Sequence, residues 1–250
     1  MNTQQRNKIS ATIITFNEES NIEKCLQSLS WVDEILIVDS FSTDKTIEIC
    51  KKYNCKIIQT EWQGFGNTKK FAVDNAENQW IFSVDADEEI SDQLKLKIQE
   101  ILTNPQCDGY NIKRRSYYLG KEIKYCGWDK DFPLRLFNRN KGNFNVKEVH
   151  ESVVINGKKC KIYEPIFHYT YPNLSLHISK MNRYSDISSQ QIRENKNYSI
   201  ISSIVFGIAK FLRMYFLQRG FLDGKVGFVL CFNSAFGVYL KYIKIWHKKN

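Results

Sequence analysis

The first hundred residues of this chain alternate between β-rich and helical segments, and this alternation restricts the fold more than any other feature. Four runs of apolar and β-branched residues each precede a segment with helical spacing of apolar residues. The β-rich runs are residues 9–16, 32–39, 55–60 and 80–84, and the helical segments are residues 20–29, 43–53, 67–76 and 91–102. Because consecutive parallel strands need crossover connections, the pattern predicts an α/β fold with a mainly parallel sheet covered by helices on both faces. Ser20 and Glu23 have capping-box spacing, which predicts the start of the first helix.

Polar clusters follow three of the four predicted strands at the point where each strand ends. They are Asn17–Glu19 after the first, Asp39 after the second, and Asp85 with Asp87 after the fourth. In open parallel sheets, ligands bind beyond the carboxyl ends of the strands. The sequence therefore predicts one binding site at this edge.

The stretch "WIFSVDADEEI", residues 80–90, combines an apolar strand with an acidic turn. Asp85 and Asp87, two residues apart around Ala86, offer hard oxygen ligands that could face one Mg²⁺ or Mn²⁺ ion. Such ions usually keep open positions for substrate phosphates. A solvated acidic turn is the alternative, but the position after the fourth strand of a βα series favours a cation site.

The other polar positions at this edge have two interpretations each. Asp39 could accept hydrogen bonds from a base or a ribose, or it could cap the helix predicted at residue 43, as Ser42, Thr43 or Asp44 could also do. Asn17 and Glu18 could lie at the start of the first helix or at the rim of a ligand site, and the sequence supports both interpretations equally. Lys69 and Lys70 lie near a helix start, where cations oppose the macrodipole. A phosphate-facing role explains that placement, and a solvated face explains it as well.

The pattern changes after residue 104. Residues 105–172 contain shorter, mixed strands and loops, and residues 173–250 are mostly helical. These boundaries predict a first half, residues 1–104, that carries the polar strand ends, a second half of the same domain, and a C-terminal helical region. The charge-free run at 226–240 is shorter than the roughly 18–20 residues needed to cross a bilayer. Lysines and aromatic residues flank it, which predicts amphipathic helices lying on a membrane surface. The alternative is a helical hairpin packed on the domain or on a second subunit.

Charge and cysteine usage limit the class of partner and the compartment. The net charge is +9, from 36 Lys and Arg against 27 Asp and Glu, which indicates an anionic partner. The seven cysteines are an odd number and contain no CxxC pair, so we expect neither a zinc ribbon nor a disulfide framework. The N-terminus lacks the pattern of a secretory signal. The expected location is the cytoplasm.

Several motifs together resemble those of family 2 glycosyltransferases with the GT-A fold. They are "ATIITFNEE", "ILIVDSFSTDKT", "GFGNTKKFAVDNA" and "WIFSVDADEEI". Further along, "GWDKDFPLRLFNR", "VHESV", "HYTY" and "RGFLDGKVGF" resemble the branch that adds glucose, β-1,4-linked, to heptose of the bacterial lipopolysaccharide inner core. The resemblance covers nearly the whole chain. Its motifs are specific for a glycosyltransferase and less specific for the acceptor.

The resemblance implies metal-dependent, inverting transfer of a hexose from a UDP-sugar, with Mg²⁺ or Mn²⁺ as the cofactor. It implies that Asp39 holds the uracil, with the backbone of Thr15 and Phe16 beneath the base. Asp85 and Asp87 would lie near the ribose and the metal-bridged diphosphate, and both are candidate metal ligands. The full set of donor-site candidates is Thr15, Phe16, Asn17, Glu18, Asp39, Lys69, Asp85, Ala86 and Asp87.

Inversion needs a base on the acceptor hydroxyl, and three carboxylates are candidates. Family 2 enzymes often place the base in a Glu-Asp pair shortly before an Arg. Here Asp129 matches the second acid, but Trp128 stands at the position of the Glu. Asp131 also falls on a motif position before Arg135, and Glu151 follows His150. Asp131 and Glu151 rank together, ahead of Asp129. The alternative for each carboxylate is a structural ion pair with Arg114, Arg115 or Arg135.

Trp128, Arg135 and His150 are candidates for contact with the substrate. Some GT-A enzymes use a late histidine as a metal ligand, but for His168 a core position is the favoured interpretation. The expected acceptor is an anionic, lipid-linked saccharide at the inner face of the bacterial inner membrane, with the enzyme bound peripherally. Nucleic acid is not expected as a partner, and a homo-oligomer is compatible with the sequence.

Other functions fit the sequence less well. The acceptor could be another cell-surface polysaccharide or a glycopeptide. A basic membrane-surface module without catalysis would not need the acidic strand ends. An aspartyl-phosphate phosphohydrolase would carry its D-x-D after the first strand. A dinucleotide oxidoreductase would show G-x-G-x-x-G where this chain has "TFNEES".

Overall fold

The parallel strands predicted from the sequence form one half of a mixed sheet. The computed structural model of the protein describes residues 6–145, 151–190 and 198–249. The first elements are β1 (Ile9–Thr15), α1 (Ile22–Ser28), β2 (Glu34–Asp39), α2 (Thr46–Lys52), β3 (Lys56–Gln59), α3 (Phe65–Asn75), β4 (Trp80–Ser83), β5 (Glu88–Ile90) and α4 (Asp92–Thr103). Strands β3, β2, β1 and β4 are neighbours in that order and run parallel. The register pairs Thr15 with Asp39 and Asp39 with Gln59, so these strands end together.

The second half of the sheet is antiparallel. Its strands are β6 (Gly109–Tyr118), β7 (Lys121–Glu122), β8 (Leu134–Asn138) and β11 (Lys159–Tyr171), while β9 (Gly142–Phe144) and β10 (Val153–Ile155) form a separate two-stranded sheet. The complete order is β3-β2-β1-β4-β8-β6-β11-β5, with β7 beside β6. Strand β11 pairs with the short β5 and brings His168 opposite Glu88. The mixed sheet expected from the sequence is confirmed.

Both faces of β1, β2 and β4 are largely buried, which explains their continuous apolar composition. On one face, Ile9, Ala11 and Ile13 of β1 pack with Leu26 of α1 and Leu94 of α4, all fully buried. On the other face, residues of β2 and β4 pack with α3. The rigid core holds the polar strand ends in place, so the sheet edge is the natural location for a site.

Two helices begin later than the sequence predicts. Helix α1 begins at Ile22 after Asn21, and no side chain caps it, so the predicted capping box of Ser20 and Glu23 is wrong. Helix α2 begins at Thr46 rather than residue 43, because the Asp44 carboxylate accepts the Thr46 N–H and holds the preceding residues in a turn. In α2 the difference arises from this hydrogen bond within the loop, which the helix-start signals did not include.

The chain forms two compact units, Met1–Arg114 with Phe132–His168, and Arg115–Asp131 with Tyr169–Asn250. In the first unit a disulfide joins Cys107 to Cys160, a pair that the sequence analysis did not predict. These residues are 53 positions apart, and it is the sheet that brings them together.

The second unit contains α5 (Leu174–Gln190), α6 (Ile200–Leu212), a π-helical turn (Arg213–Leu217), a 3-10 turn (Gly220–Asp223) and α7 (Gly224–Lys249). Helices α5 and α6 both pack against α7. By length and composition, the segments Ile200–Leu217 and Gly220–Lys248 are apolar enough to cross a membrane, a criterion that core helices of soluble proteins also meet.

Asp223 ties the loop after β7 to the helices of the second unit. Its carboxylate is buried and accepts hydrogen bonds from the backbone N–H groups of Lys124 at 3.1 Å and Tyr125 at 2.9 Å. Beside it, Gly220 is packed so closely that a Cβ would lie 2.7 Å from the Cys231 sulfur. The "RGFLDG" motif is therefore a structural anchor within this unit.

We expect Asp223→Ala to lower the free energy of unfolding by about 2–3 kcal/mol, because two partly buried N–H groups lose their charged acceptor. The urea midpoint of the purified protein measures the change. Asp186→Ala is the matched control. Asp186 is half-exposed and pairs with Lys244 at 2.7 Å, and such a surface pair contributes less than about 1 kcal/mol. Equal effects of the two substitutions would show that Asp223 is not an anchor.

Candidate functional site

Asp39 lies at the end of β2 and is fully buried. Its carboxylate accepts hydrogen bonds from the Thr15 hydroxyl at 2.9 Å, the Ser42 N–H at 2.9 Å and the Gln59 amide at 3.1 Å. Each donor comes from a different strand end or loop. The carboxylate is thus fixed at the centre of the sheet edge, and it also holds the turn that follows β2, so both interpretations from the sequence describe part of its role.

The loops after β1 and β2 are joined by reciprocal hydrogen bonds. The Asn17 N–H donates to the Ser42 hydroxyl at 2.9 Å, and the Asn17 side-chain oxygen accepts the Thr43 N–H at 2.8 Å. The Glu18 N–H donates to the Thr46 hydroxyl at 2.8 Å. Asn17 and Glu18 therefore shape the rim of the edge, and they do so with backbone groups as well as side chains.

Two aromatic side chains are exposed at this rim. Phe16 is 55% exposed and Phe41 is 53% exposed. Phe41 has a φ of 57°, a left-handed conformation that is unusual for an aromatic residue and is often found at functional sites. Phe16 was predicted from the sequence. Phe41 was missed, although an aromatic residue two positions after Asp39 was the signal available in the sequence.

A network of charged groups surrounds the first acidic residue after β4. One oxygen of Asp85 lies 2.9 Å from Lys69 Nζ, and the other accepts a hydrogen bond from the Arg135 guanidinium. Arg135 also contacts Glu88 at 2.6 Å, and Lys69 also contacts Glu151 at 3.2 Å. Arg135 and Lys69 have side chains that are only 5% and 9% exposed. Each buried cation is therefore shared between two carboxylates.

The charges of this network determine the ionisation of Asp85. Burial acts to raise its pKa, but the positive charges of Arg135 and Lys69 outweigh burial and hold the pKa well below its usual range. Burial likewise acts to lower the pKa of Arg135, and Asp85 and Glu88 reverse that effect, so the net shift is upward. At neutral pH both groups are charged.

Glu88 holds the acidic turn itself. Its side chain has no exposed surface, and its second oxygen accepts the Asp85 N–H at 3.0 Å. Its first oxygen contacts Arg135, and Arg114 at 3.4 Å. Sequence reasoning treated Glu88 as one more acid in the run. Its burial depends on two arginines from distant strands, so no local signal identifies its role.

Asp87 faces a different partner. His168 Nε2 lies 3.4 Å from Asp87 Oδ2, because β11 pairs with β5. The sequence analysis favoured a core position for His168, whereas the structure places it beside the second acid of the D-x-D. Only the pairing of two strands far apart in the sequence reveals this proximity.

The donor atoms near Asp87 fit a divalent cation. A carboxylate oxygen and an imidazole nitrogen are ligands that Mn²⁺ accepts, and such ions complete their shell with phosphate oxygens or water. Within the described ranges, no group of three or more His, Cys, Asp or Glu side chains is arranged to hold a metal. A bound ion here would therefore take two ligands from these side chains and the rest from other oxygens. Asp85, engaged by two cations, is less suited to that role than Asp87.

The remaining predicted residues fall into three groups. Lys69, Glu151 and Arg135 join the Asp85 network in the first unit, and Ala86 is buried within the turn. Trp128, Asp129 and Asp131 belong to the second unit, where the Trp128 ring meets Tyr118 edge-on with centroids 6.4 Å apart. His150 lies outside the described residues. Glu151 pairs with Lys69 rather than with any of the arginines considered from the sequence.

Comparison with known proteins identifies relatives of this chain. Residues 10–159 match the family model "Glycosyl transferase family 2". The lipopolysaccharide core biosynthesis glycosyltransferase LpsC of Rhizobium meliloti is 30% identical, over 96% of this chain and 92% of LpsC.

Two solved structures share the fold at low identity. The mannosyltransferase PcManGT of Pyrobaculum calidifontis, in complex with GDP-Man and Mn²⁺, is 12% identical with a TM-score of 0.55, over 98% of this chain and 89% of PcManGT. The TarS 1–349 structure from S. aureus, in complex with UDP-GlcNAc, is 18% identical with a TM-score of 0.50, over 93% and 80%. The GT-A fold expected from the sequence is confirmed.

Proposed function

Because this chain belongs to glycosyltransferase family 2, we propose that it transfers a hexose, glucose, from a UDP-sugar to the lipopolysaccharide inner core with inversion at the sugar. The observation that carries the proposal is the pair of acids after β4. Asp85 is bound by two buried cations, and Asp87 lies beside a histidine. Because their surroundings differ, these two acids suit different tasks at a sugar diphosphate: Asp85 to orient Lys69, and Asp87 to bind a cation.

The donor site would use the strand ends as follows. Asp39 would accept hydrogen bonds from the uracil edge, with the backbone of Thr15 and Phe16 beneath the ring. Phe41 adds an exposed aromatic surface next to this position, and such surfaces stack on bases. Asn17 and Glu18 would form the rim. The three hydrogen bonds that fix the Asp39 carboxylate support this assignment, because a fixed carboxylate discriminates between bases better than a mobile one.

The diphosphate would lie near the acidic turn. Asp87 and His168 would hold Mg²⁺ or Mn²⁺, and Asp85 would orient Lys69 toward the phosphates. When bound, the metal stabilises the negative charge that develops on the leaving diphosphate. Lys69 supplies a second positive charge that is already fixed in place, and preorganised charge is usually the largest contribution to catalysis. Arg135, which is buried between Asp85 and Glu88, would position the acid rather than contact the substrate.

Three carboxylates remain candidates for the base, and Glu151 has the strongest support, because Lys69 links it to the Asp85 network. We expect Glu151→Gln to lower kcat by about 10²–10⁴-fold with a small change in the KM for the donor, as loss of a general base does. Asp131→Asn and Asp129→Asn are the matched comparisons and should change kcat less. If Asp131→Asn has the larger effect, Asp131 is the base and Glu151 serves to hold Lys69.

The acceptor proposal is a lipid-linked, anionic saccharide at the cytoplasmic face of the bacterial inner membrane. The name of LpsC, a lipopolysaccharide core biosynthesis glycosyltransferase, supports this proposal, and the net charge of +9 suits a phosphorylated acceptor. We assign donor binding to residues 1–104, acceptor binding with Trp128 and His150 to residues 105–172, and membrane contact to residues 173–250. Transfer to another cell-surface polysaccharide or a glycopeptide is the second candidate.

Calorimetric titration with UDP, GDP and dTDP, each with and without Mn²⁺, tests the donor proposal. Of the three nucleotides, we expect only UDP to bind. Mn²⁺ should strengthen its binding, and the double substitution Asp85→Asn/Asp87→Asn should abolish this effect of the metal. Binding of GDP in preference to UDP would replace the proposed nucleotide. If no nucleotide binds under any condition, the proposed donor site is wrong.

A further inference from the structure

Helix α6 exposes its large apolar residues and buries its small ones. Ile201, Val205, Ile208 and Leu212 are 74%, 52%, 55% and 47% exposed, and their spacing places them on one helical face. Ser203 and Gly207, on the opposite side, are buried. A helix of a soluble domain normally has the reverse arrangement, with its apolar face toward the core.

Helix α7 also exposes large apolar residues on one face. Phe228, Phe232 and Phe236, spaced by four residues, are 46%, 57% and 43% exposed. The two helices approach closely at Gly207, where a Cβ would lie 3.2 Å from the Ala235 carbonyl oxygen, and the Phe206 and Phe211 rings contact Tyr242 and Phe228 elsewhere along the pair. Small residues between helices and large apolar residues outside are typical of helices in contact with lipid. Of the two membrane-length windows, only 17% and 22% of the residues are buried.

We propose that the exposed apolar residues of α6 and α7 insert into the surface of an anionic phospholipid bilayer. This lipid-contact face is represented by Ile201, Val205, Ile208, Phe228, Phe232 and Phe236. The proposal rests on the proposed function for its biological setting, because a lipid-linked acceptor would bring the enzyme to a bilayer. It names the surface, the residues and the class of lipid.

The charge of the same segment selects anionic lipid as the partner. Residues 200–249 contain eight Lys and Arg residues and one acid, Asp223, which is buried. Basic residues at the edge of an apolar helical surface reach anionic headgroups while the apolar residues enter the acyl boundary. A second copy of this chain would bring the same excess of positive charge against itself, since the two sides of a symmetric interface are identical.

The helices lie along the membrane rather than cross it. Lys210 and Arg213 fall within the Ile200–Leu217 segment, and charges inside the hydrocarbon core are costly. The C-terminal part of α7 is covered by the polar helix α5, because Lys244 contacts the Asn182 side-chain oxygen and Asp186, each at 2.7 Å. That part of α7 therefore faces protein and headgroups, not acyl chains.

Flotation of the full chain with vesicles tests the proposal. The vesicles contain phosphatidylcholine alone or with phosphatidylglycerol. The α6–α7 variant is Ile201→Ser/Ile208→Ser/Phe232→Ser. The control variant is Leu96→Ser/Val154→Ser/Tyr163→Ser. The control residues are 65%, 59% and 69% exposed and lie in the first unit. We expect the wild type and the control to float with anionic vesicles and to be released by carbonate. The α6–α7 variant should bind at least tenfold more weakly.

Three outcomes would overturn the proposal. Equal flotation of both variants removes this face as the contact, and retention after carbonate extraction shows helices that cross the membrane. A wild type that ignores vesicles but is a stable dimer in light scattering, and becomes a monomer in the α6–α7 variant, identifies a subunit interface. UDP binding, measured on the same samples, does not depend on vesicle binding and tests the proposed function separately. Vesicle binding without UDP binding would preserve this inference while the proposed function fails.

Discussion

Asp87→Asn should lower kcat/KM by about 10³-fold, the size expected when one preorganised electrostatic group at a reacting centre is lost. Asp87 offers a carboxylate oxygen 3.4 Å from His168 Nε2, so its replacement removes the charged member of the proposed cation site. The Mn²⁺ concentration needed for half-maximal activity should rise by at least tenfold. Initial rates with UDP-glucose, at several Mn²⁺ concentrations, measure both effects.

Asp92→Asn is the control for this prediction. Asp92 is an exposed acid in the first turn of α4, only five positions away, and its replacement should leave kcat/KM within about twofold. His168→Asn should reproduce the metal effect of Asp87→Asn to a smaller extent. An Asp87→Asn enzyme with unchanged metal dependence would contradict the assignment of this acid.

Glu88→Gln should cause the largest loss of stability among single substitutions at the sheet edge. The carboxylate has no exposed surface and contacts both Arg135 and Arg114, so its removal leaves the buried Arg135 with one carboxylate, Asp85, in place of two and leaves an excess positive charge in the network. Removing one member of a buried ion pair lowers the free energy of unfolding by about 3–5 kcal/mol. In a chain of this length that corresponds to a fall in Tm of about 6–20 °C, which calorimetry would detect.

Two further variants separate buried charge from simple loss of contacts. Glu77→Gln removes an exposed pair with Lys56 at 3.0 Å and should change stability by less than about 1 kcal/mol. Glu88→Leu/Arg135→Leu removes the charges on both sides and should recover part of the loss, because apolar replacements of a buried pair are often tolerated. If the double variant is less stable than Glu88→Gln, the loss of stability in Glu88→Gln is not caused by uncompensated buried charge.

The sequence predicted the parallel half of the sheet because each strand there is a local apolar run followed by a helical pattern. For the same reason it placed Asp39, Asp85 and Asp87 at one edge, since the carboxyl ends of parallel strands coincide. It did not predict the start of α1, where Asn21 rather than Ser20 precedes the helix, because loop contacts with the next βα unit decide that position.

The partners of the acids could not be predicted from the sequence. Lys69 is 16 residues before Asp85 and Arg135 is 50 residues after it, and both reach it only through the order of strands in the sheet. His168 is favoured as a core residue by its apolar neighbours, and the pairing of β5 with β11 reverses that interpretation. The sequence predicted amphipathic helices in the C-terminal region, but which face of α6 and α7 is exposed depends on how these helices pack together.

The hydrogen bonds that join the loops after β1 and β2 have a consequence for engineering the donor preference. Asn17 depends on Ser42 and Thr43, Glu18 depends on Thr46, and Glu19 depends on Asp44. A change in one loop leaves a group in the other without its partner, so single substitutions there should show strong epistasis. Libraries that randomise both loops together are therefore the effective route to a new nucleotide preference, whereas grafting either loop alone would disturb the rim that both loops build.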